Sequence, residues 1–178
     1  QLDRERETFL RRVRQRIAEE SDPLARLRPE QYAISTSNSI LVTGATEGIG
    51  REAAVYLAKA QFPVILTARD SLKGAAAVDY VKAQAGVGAA VACVDLDLES
   101  LESVERGAVD ILAAAEVLGA PLGGLLLNAG IWPTARRLTA DGLEVGLQVN
   151  HVGHFALAQS LLPQMAAEGS LRVVTTAS

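Results

Sequence analysis

Three glycines in the stretch Thr43–Gly50 have the spacing of a loop that binds phosphate groups. The stretch reads T-G-A-T-E-G-I-G and places Gly44, Gly48 and Gly50 at offsets zero, four and six. Glycines can make the sharp turn out of a strand, let the backbone approach a pyrophosphate and let a helix pack closely. The N-terminus of the following helix would add free N–H groups and the positive end of its dipole. A plain tight turn between strand and helix has the same pattern.

Charged residues that could bind the ribose 2′-hydroxyl or 2′-phosphate of a dinucleotide follow the next apolar run. Arg69 and Asp70 come after Pro63–Thr67, and Arg51 comes directly after the glycine stretch. NAD enzymes usually place an acid here for the ribose 2′-hydroxyl, whereas a guanidinium matches a 2′-phosphate in charge and in paired donors. Arg69, with Arg51 as a second candidate cation, therefore favours NADP(H) over NAD(H). In the alternative interpretation, Arg69 is a solvated surface arginine that pairs with Asp70.

Two acids follow the third apolar run and could contact an adenine ring. Either Asp95 or Asp97 could accept a hydrogen bond from the adenine amino group, while an apolar neighbour such as Leu98 packs on the ring. The alternative is a structural role at the start of the next helix. Asp97, Glu99 or Ser100 could each cap that helix.

The fourth apolar run ends in the tripeptide Asn128-Ala129-Gly130. The small residues Ala129 and Gly130 let the backbone lie close to a ligand. The side-chain amide of Asn128 can bridge neighbouring loops by hydrogen bonds. A plain Asx-turn is the alternative.

Asparagine and glycine also interrupt an apolar helical pattern at Asn150–Phe155, which reads N-H-V-G-H-F. Both residue types are unfavourable inside a helix unless something requires them. Asn150 is therefore a candidate to leave the helical hydrogen-bond pattern and present its carbonyl to the site. His151 and His154 are three residues apart, as metal ligands could be. No carboxylate or cysteine stands close by in sequence, so we predict no metal site and interpret both as core or supporting histidines.

These candidates follow strands in a repeated strand–helix pattern. The strands are rich in Val, Ile, Leu and Ala without strict alternation, as expected when both faces of a sheet are covered. This pattern predicts an α/β fold with a Rossmann-type, doubly wound parallel sheet, in which ligands bind beyond the carboxyl ends of the strands. The predicted strands are Ser39–Val42, Pro63–Thr67, Ala89–Val94, Gly124–Asn128 and Leu171–Thr176, and the predicted helices are Glu52–Lys59, Ser71–Gln84, Ser100–Leu118 and Ala140–Ala167.

The composition is that of an ordinary globular protein. The 178 residues are 49% hydrophobic and 21% charged, which suffices for one domain with a core. The net charge of −4 argues against a general nucleic-acid binder. The single cysteine, Cys93, excludes a disulfide framework, and we expect a buried, unreactive thiol. Uncharged stretches at Val117–Ala135 and Val145–Ala167 are interrupted by prolines, glycines or polar residues, so we interpret both as buried parts of a soluble core. The sequence leaves the compartment open between the cytoplasm and an organelle, chloroplast or mitochondrion.

The N-terminal region has a different composition from the rest of the chain. Residues 1–20 are rich in arginine, and apolar residues recur at helical spacing among them. We predict one amphipathic helix, docked either on the domain itself or on a protein partner. Residues 21–38, with two prolines and a Ser/Thr run, are predicted to be a linker to the Rossmann domain, 39–178.

Taken together, the motifs resemble the short-chain dehydrogenase/reductase family, in particular its retinol dehydrogenase-like and protochlorophyllide oxidoreductase-like branch. The matching strings occur in the family's order from Ser39 to Ser178. They are T-G-A-T-E-G-I-G, T-A-R-D at Thr67–Asp70, L-D-L-E-S-L-E-S-V at Leu96–Val104, N-A-G at Asn128–Gly130, D-G-L-E at Asp141–Glu144 and N-H-V-G-H-F.

The resemblance implies roles for individual residues. It assigns the adenine contact to Asp97 and supports NADP(H) through Arg69. It gives Asn150 the role of the helix asparagine that holds a water in a proton relay, and Ser178 that of the serine that hydrogen-bonds the substrate carbonyl. The residues predicted to bind the cofactor are Gly44, Thr46, Gly48, Ile49, Gly50, Arg51, Arg69, Asp97, Leu98, Asn128, Ala129 and Gly130.

The family's catalytic Tyr-x-x-x-Lys pair is not found in these residues. Tyr32, Tyr56 and Tyr80 all precede the site, and none has a lysine four residues later. We expect the pair on the next helix of a longer parent chain, which would be an NADP(H)-dependent carbonyl reductase or alcohol dehydrogenase acting on a small molecule. The alternative is a catalytically inactive subunit that keeps the fold as an interaction module in a larger assembly.

Overall fold

Five apolar runs become the parallel strands of one sheet in the computed structural model, which describes residues 35–167, 169 and 171–177. The strand order is β3-β2-β1-β4-β5, so the chain reverses its direction of winding after β3. The predicted doubly wound parallel sheet is therefore confirmed. The strands are β1 Ser39–Val42, β2 Val64–Ala68, β3 Val91–Asp95, β4 Leu122–Leu127 and β5 Arg172–Thr175.

Helices connect these strands and cover both faces of the sheet. The helices are α1 Gly48–Lys59, α2 Ser71–Ala85, α3 Leu101–Val117, a short α4 Val145–Leu147, a π-helical segment Gln148–Val152 and α5 Gly153–Ala167. The predicted helix over residues 1–20 and all but the end of the linker over 21–38 lie outside the described residues, as does Ser178.

Alternate residues of one strand enter two separate cores. In β1, Ile40 and Val42 pack in the cluster that contains Ala54 of α1 and Val81 of α2. Leu41 lies between them and packs in the opposite cluster, with residues of α3 and α5. Successive side chains of a strand point to opposite faces, so apolar residues occupy consecutive strand positions when both faces are covered.

The predicted helix over Ala140–Ala167 is wrong at its start. Residues 139–144 form a turn in which Thr139 N donates to Leu143 O over 2.9 Å and Gly142 has φ +77°. The carboxylate of Glu144 accepts from Leu147 N at 2.8 Å and caps the helix, which begins only at Val145. Helical propensity was overridden here by a turn glycine and a strong cap.

The last described strand, β5, lies at the edge of the sheet beside β4. Its Val173 and Val174 are 42% and 48% exposed. By contrast, β1, β2 and β4 are predominantly buried. Across the described part of the chain, no helix has the length and apolar character needed to cross a membrane.

Candidate functional site

A cleft of about 750 Å³ opens at the carboxyl ends of the strands, where a ligand is expected in such a sheet. It contains ten of the twelve residues that the sequence predicts to contact a cofactor. Gly50 and Arg51 do not line it. The predicted residues in its wall are Gly44, Thr46, Gly48, Ile49, Arg69, Asp97, Leu98, Asn128, Ala129 and Gly130.

The three glycines of the turn do three different things. Gly44 has φ +64°, and a methyl group on it would lie 2.6 Å from Cα of Ala129. Gly48 has φ +59° and faces open space. A methyl group on Gly50 would lie 2.5 Å from the carbonyl oxygen of Gly44, so Gly50 lets α1 pack against the turn. Any side chain at Gly44 or Gly50 would push strand, turn and helix apart.

The N-terminus of α1 faces the cleft without a side-chain cap. Glu47 at the cap position makes no side-chain hydrogen bond to it, and the first turn has no acidic residue. By contrast, Asp70 caps α2 through Lys73 N at 2.9 Å, and Ser100 caps α3 through Ser103 N at 3.2 Å. The N–H groups of α1 are thus available to an anion.

The hydroxyl of Thr43 ties β1 to β4 below the cleft. Its Oγ1 accepts from Asn128 N at 2.9 Å and from Ala129 N at 3.0 Å. The side-chain amide of Asn128 in turn donates to the carbonyl oxygens of Thr43 (3.1 Å) and Gly44 (3.4 Å), and its Oδ1 accepts from Thr176 Oγ1 at 3.4 Å. Asn128 therefore bridges the ends of β1, β4 and β5, as expected from the sequence.

Arg69 lies at the rim of the cleft and forms an ion pair that the sequence did not suggest. Its Nη1 is 3.4 Å from Oε1 of Glu99. Asp70, suggested by the sequence as the alternative partner, caps α2 instead. Glu99 was not expected to contact Arg69, because 30 residues separate them and only the pairing of β2 with β3 brings their loops together.

Arg51 is directed away from the cleft. Its guanidinium lies 4.1 Å from the ring centroid of Tyr80, and its Nε is 3.6 Å from Glu52 Oε1. Tyr80 also donates to Glu52 Oε1 at 3.1 Å. Arg51 thus belongs to a surface cluster between α1 and α2, where a cation stacks on an aromatic face, and does not stand as a second cation beside Arg69.

Of the two acids after β3, only Asp97 reaches the cleft. Asp95 is exposed at the end of β3 and is not part of the cleft wall. Asp97 Oδ1 accepts from Glu99 N at 2.9 Å, which holds the carboxylate in the loop, while Leu98 beside it is buried. The cap of α3 is Ser100 and neither acid.

Asn150 lies in the π-helical segment, so the expected departure from regular helical bonding is confirmed. Its Oδ1 accepts from Ile131 N at 2.8 Å and its Nδ2 donates to Ile131 O at 2.9 Å. This pair fixes the loop after β4, because both backbone groups of Ile131 are bound by one side chain. Ile131 lines the cleft; Asn150 stands behind it.

The imidazole of His154 is buried and joins Thr43 to the π-helical segment. Nε2 lies 2.9 Å from Thr43 Oγ1. Since that oxygen accepts two N–H groups, its own proton is donated to Nε2, which assigns the ring proton to Nδ1. Nδ1 is 3.5 Å from the carbonyl oxygen of Asn150. Burial lowers the pKa of His154, against a smaller opposing effect of the Asn150 carbonyl.

The neighbouring histidine has a different environment, and the cysteine is unreactive. His151 is exposed. Within residues 35–167, 169 and 171–177, no three His, Cys, Asp or Glu side chains are grouped closely enough to hold a metal ion. Burial and the Asp95 carboxylate raise the pKa of Cys93 to about 11, so the thiol is protonated at neutral pH.

Sequence reasoning missed several residues of the cleft and its support. Lys73, Glu99 and Thr176 line the cleft, and Thr43 and His154 hold its base. Glu99 could have been found from its position two residues after Asp97. The pairing of Thr43 with His154 has no local signal, because 111 residues separate them.

Comparison with known proteins adds to this geometry. The family model of the short chain dehydrogenases matches residues 38–178. The mouse (Mus musculus) polyprenol dehydrogenase is 42% identical over 155 residues, covering 85% of this chain and 45% of the relative. Protochlorophyllide reductase of Avena sativa is 41% identical over 130 residues, covering 71% of this chain and 39% of the relative. The chain therefore spans less than half the length of these curated relatives.

Solved structures agree with the sequence comparison. A metagenomic short-chain oxidoreductase in complex with NADP has a TM-score of 0.67 and 26% identity, and the match covers 81% of this chain and 64% of that one. The family and branch that the motifs predict are confirmed by the model match over residues 38–178 and by relatives above 40% identity. The glycine turn lies where the winding of the parallel sheet reverses, and the family model matches residues 38–178, which include the whole sheet. The chain therefore belongs to the short-chain dehydrogenase family.

Proposed function

We propose that the intact protein is an NADP(H)-dependent oxidoreductase that interconverts a small-molecule carbonyl and the corresponding alcohol. The observation that carries the proposal is the meeting of the glycine turn, Arg69, Asp97 and Asn128 in one cleft. These residues come from loops after four different strands. A dinucleotide is long enough to contact all of these loops at once.

The cleft fits a nicotinamide dinucleotide by its shape and its charges. At Gly48 the turn has open space on its outer side, and the uncapped N-terminus of α1 offers N–H groups to a pyrophosphate. Arg69 would bind a 2′-phosphate through its guanidinium. Asp97 would accept from the adenine amino group, with Leu98 beside the ring.

Chemistry at the far end of the cleft depends on fewer described residues. The nicotinamide ring, when bound, supplies or accepts the hydride. Asn150 holds the loop at Ile131. We assign its backbone carbonyl, which lies 3.5 Å from His154 Nδ1, to a relay water. We assign Ser178 to the hydrogen bond with the substrate oxygen, and we expect sequence after it to supply the proton through Tyr-x-x-x-Lys.

The cofactor part of the proposal is tested by binding. Titration of the 178-residue chain with NADPH and NADH, followed by nicotinamide fluorescence, should show tighter binding of NADPH. Arg69→Ala should weaken NADPH binding about tenfold, since a hydrogen bond between charged groups is lost, and should leave NADH nearly unchanged. Arg106→Ala, an exposed arginine of α3 outside the cleft wall, is the matched control. Equal affinity for both cofactors would contradict the NADP(H) assignment.

The catalytic part is tested on the longer protein. A transcript that continues past Ser178 should encode Tyr-x-x-x-Lys, and the encoded protein should oxidise NADPH in the presence of a carbonyl substrate. A continuation without that pair, in a protein that binds NADPH without turnover, would instead support an inactive subunit.

A further inference from the structure

Glu99 stands between two arginines from different loops at the rim of the cleft. One carboxylate oxygen, Oε1, is 3.4 Å from Arg69 Nη1, and the other, Oε2, is 2.6 Å from Arg137 Nη2. The side chain of Glu99 is 18% exposed, whereas those of Arg69 and Arg137 are 67% and 55% exposed. The carboxylate is therefore the fixed centre of the triad, and the shorter contact is the one to Arg137.

Other charged groups at this end of the cleft are Asp70, Lys73 and Asp97. The carboxylates of Asp70 and Asp97 each accept from a backbone N–H, of Lys73 and Glu99 respectively. Glu99 differs from both, because its Oε1 contacts the Arg69 guanidinium, which the proposed function assigns to the 2′-phosphate.

We propose that Glu99 is a specificity-determining residue that competes with the 2′-phosphate of the cofactor for Arg69, and that Arg137 limits this competition. The inference rests on the proposed NADP(H) function. A phosphate at Arg69 and the carboxylate of Glu99 are both negatively charged and would both accept hydrogen bonds from the Arg69 guanidinium. Removing the charge of Glu99 frees Arg69 and strengthens phosphate binding. Removing Arg137 leaves Glu99 to pair with Arg69 alone, and this weakens phosphate binding.

The triad also contacts the loop after β4, because Arg137 lies in that loop. When a phosphate takes Arg69, Glu99 is left with Arg137, whose carbonyl oxygen accepts from Val145 N at 3.1 Å. Val145 begins α4, which leads directly into the π-helical segment with Asn150.

The test measures the dissociation constants of NADPH and NADH for charge-removing variants of the 178-residue chain. We expect Glu99→Gln to tighten NADPH binding about two- to fivefold and Arg137→Gln to weaken it about two- to fivefold, the size expected for exposed ion pairs. Neither change should alter NADH binding, because NADH carries no 2′-phosphate. Glu102→Gln on α3 and Arg136→Gln in the same loop are matched controls that remove the same charges at neighbouring positions.

The double variant separates direct contact from a general charge effect. In the Glu99→Gln background, Arg137→Gln should no longer weaken NADPH binding, because Arg137 acts through Glu99. If the loss persists there, Arg137 attracts the phosphate by itself and the inference is wrong. Equal effects of Glu102→Gln and Glu99→Gln would also overturn it. Wild-type protein that binds neither cofactor would instead refute the proposed function, and with it this inference.

Discussion

At the scale of single residues, the base of the cleft depends on hydrogen bonds that determine which atoms carry protons. Thr43 Oγ1 accepts from the backbone N–H groups of Asn128 and Ala129 and lies 2.9 Å from His154 Nε2. A hydroxyl has one proton and two lone pairs. The arrangement therefore requires a neutral imidazole, and protonation of His154 would set an N–H against the hydroxyl proton.

Because the folded chain requires a neutral His154, its free energy of unfolding should fall at acidic pH. The pKa of His154 in the folded protein is below the ordinary 6.5, chiefly because the ring is buried. Unfolded protein takes up the proton first, so the contribution of His154 is complete above pH about 6.5 and is lost as the pH falls from there toward the lower folded pKa. Urea unfolding at a series of pH values should show a free energy of unfolding that falls over this window.

Replacing the ring identifies the source of this pH dependence. His154→Gln should lower the free energy of unfolding at neutral pH and flatten its fall below pH about 6.5. His151→Gln, at an exposed position one turn away, should keep the fall because His154 remains. An unchanged slope in His154→Gln would show that other groups cause the acid sensitivity.

At the scale of elements, hydrogen bonds to α3 and to the π-helical segment hold the loop from Arg137 to Glu144 in place. Asp141 Oδ2 accepts from Leu101 N at 2.9 Å and from Gln148 Nε2 at 2.5 Å. Gln148 Oε1 also accepts from the hydroxyl of Thr139. The D-G-L-E string thereby joins the start of α3 to the π-helical segment, through Asp141, the turn at Gly142 and the cap at Glu144.

Gln148, the first residue of the π-helical segment, bonds to this loop and has no exposed surface. Gln148→Met keeps a similar side-chain volume but leaves the Thr139 hydroxyl and one contact of Asp141 without a partner. We expect a loss of about 1 kcal/mol in the free energy of unfolding, the net contribution of the hydrogen bonds that are lost at these partly buried groups. Gln159→Met, on the exposed face of α5, should change it by about 0.5 kcal/mol or less. Equal losses in chemical denaturation would argue that Gln148 is not held in this way.

At the scale of the whole molecule, one sheet separates two cores that are covered by different helices. The larger core lies between the sheet and the helices α3 and α5, and includes Ile111, Leu125 and Leu161. The smaller lies under α1 and α2 and includes Val55, Leu66 and Val81. The cleft opens where the loops from both sides meet, so its geometry depends on both cores.

A truncation in the larger core should therefore weaken the molecule as a whole. Ile111→Ala at a fully buried position of α3 should cost about 2–5 kcal/mol, from lost burial and the cavity that remains. Val109→Ala on the same helix, 67% exposed, is the matched control and should cost much less. Thermal unfolding followed by circular dichroism compares the two. Similar midpoints would mean that the α3 face contributes little to the core.

The class of fold and most of the cleft wall could be predicted from the amino-acid sequence. Apolar runs without alternation predict strands that are covered on both faces, and the glycine spacing marks the turn at which a ligand is expected. Ten of the predicted cofactor residues line the cleft because parallel strands all end at one edge of the sheet. That placement follows from the alternation of strands and helices along the chain, which local sequence patterns reveal.

The side chains that meet across that edge could not be predicted before the packing of the elements was known. Arg69 pairs with Glu99 and not with Asp70, Arg51 stacks on Tyr80 outside the cleft, and Thr43 lies against His154. Each of these contacts joins loops or helices that are far apart in sequence. Contacts of this kind depend on the order, register and packing of whole elements, so no residue pattern within one segment specifies them.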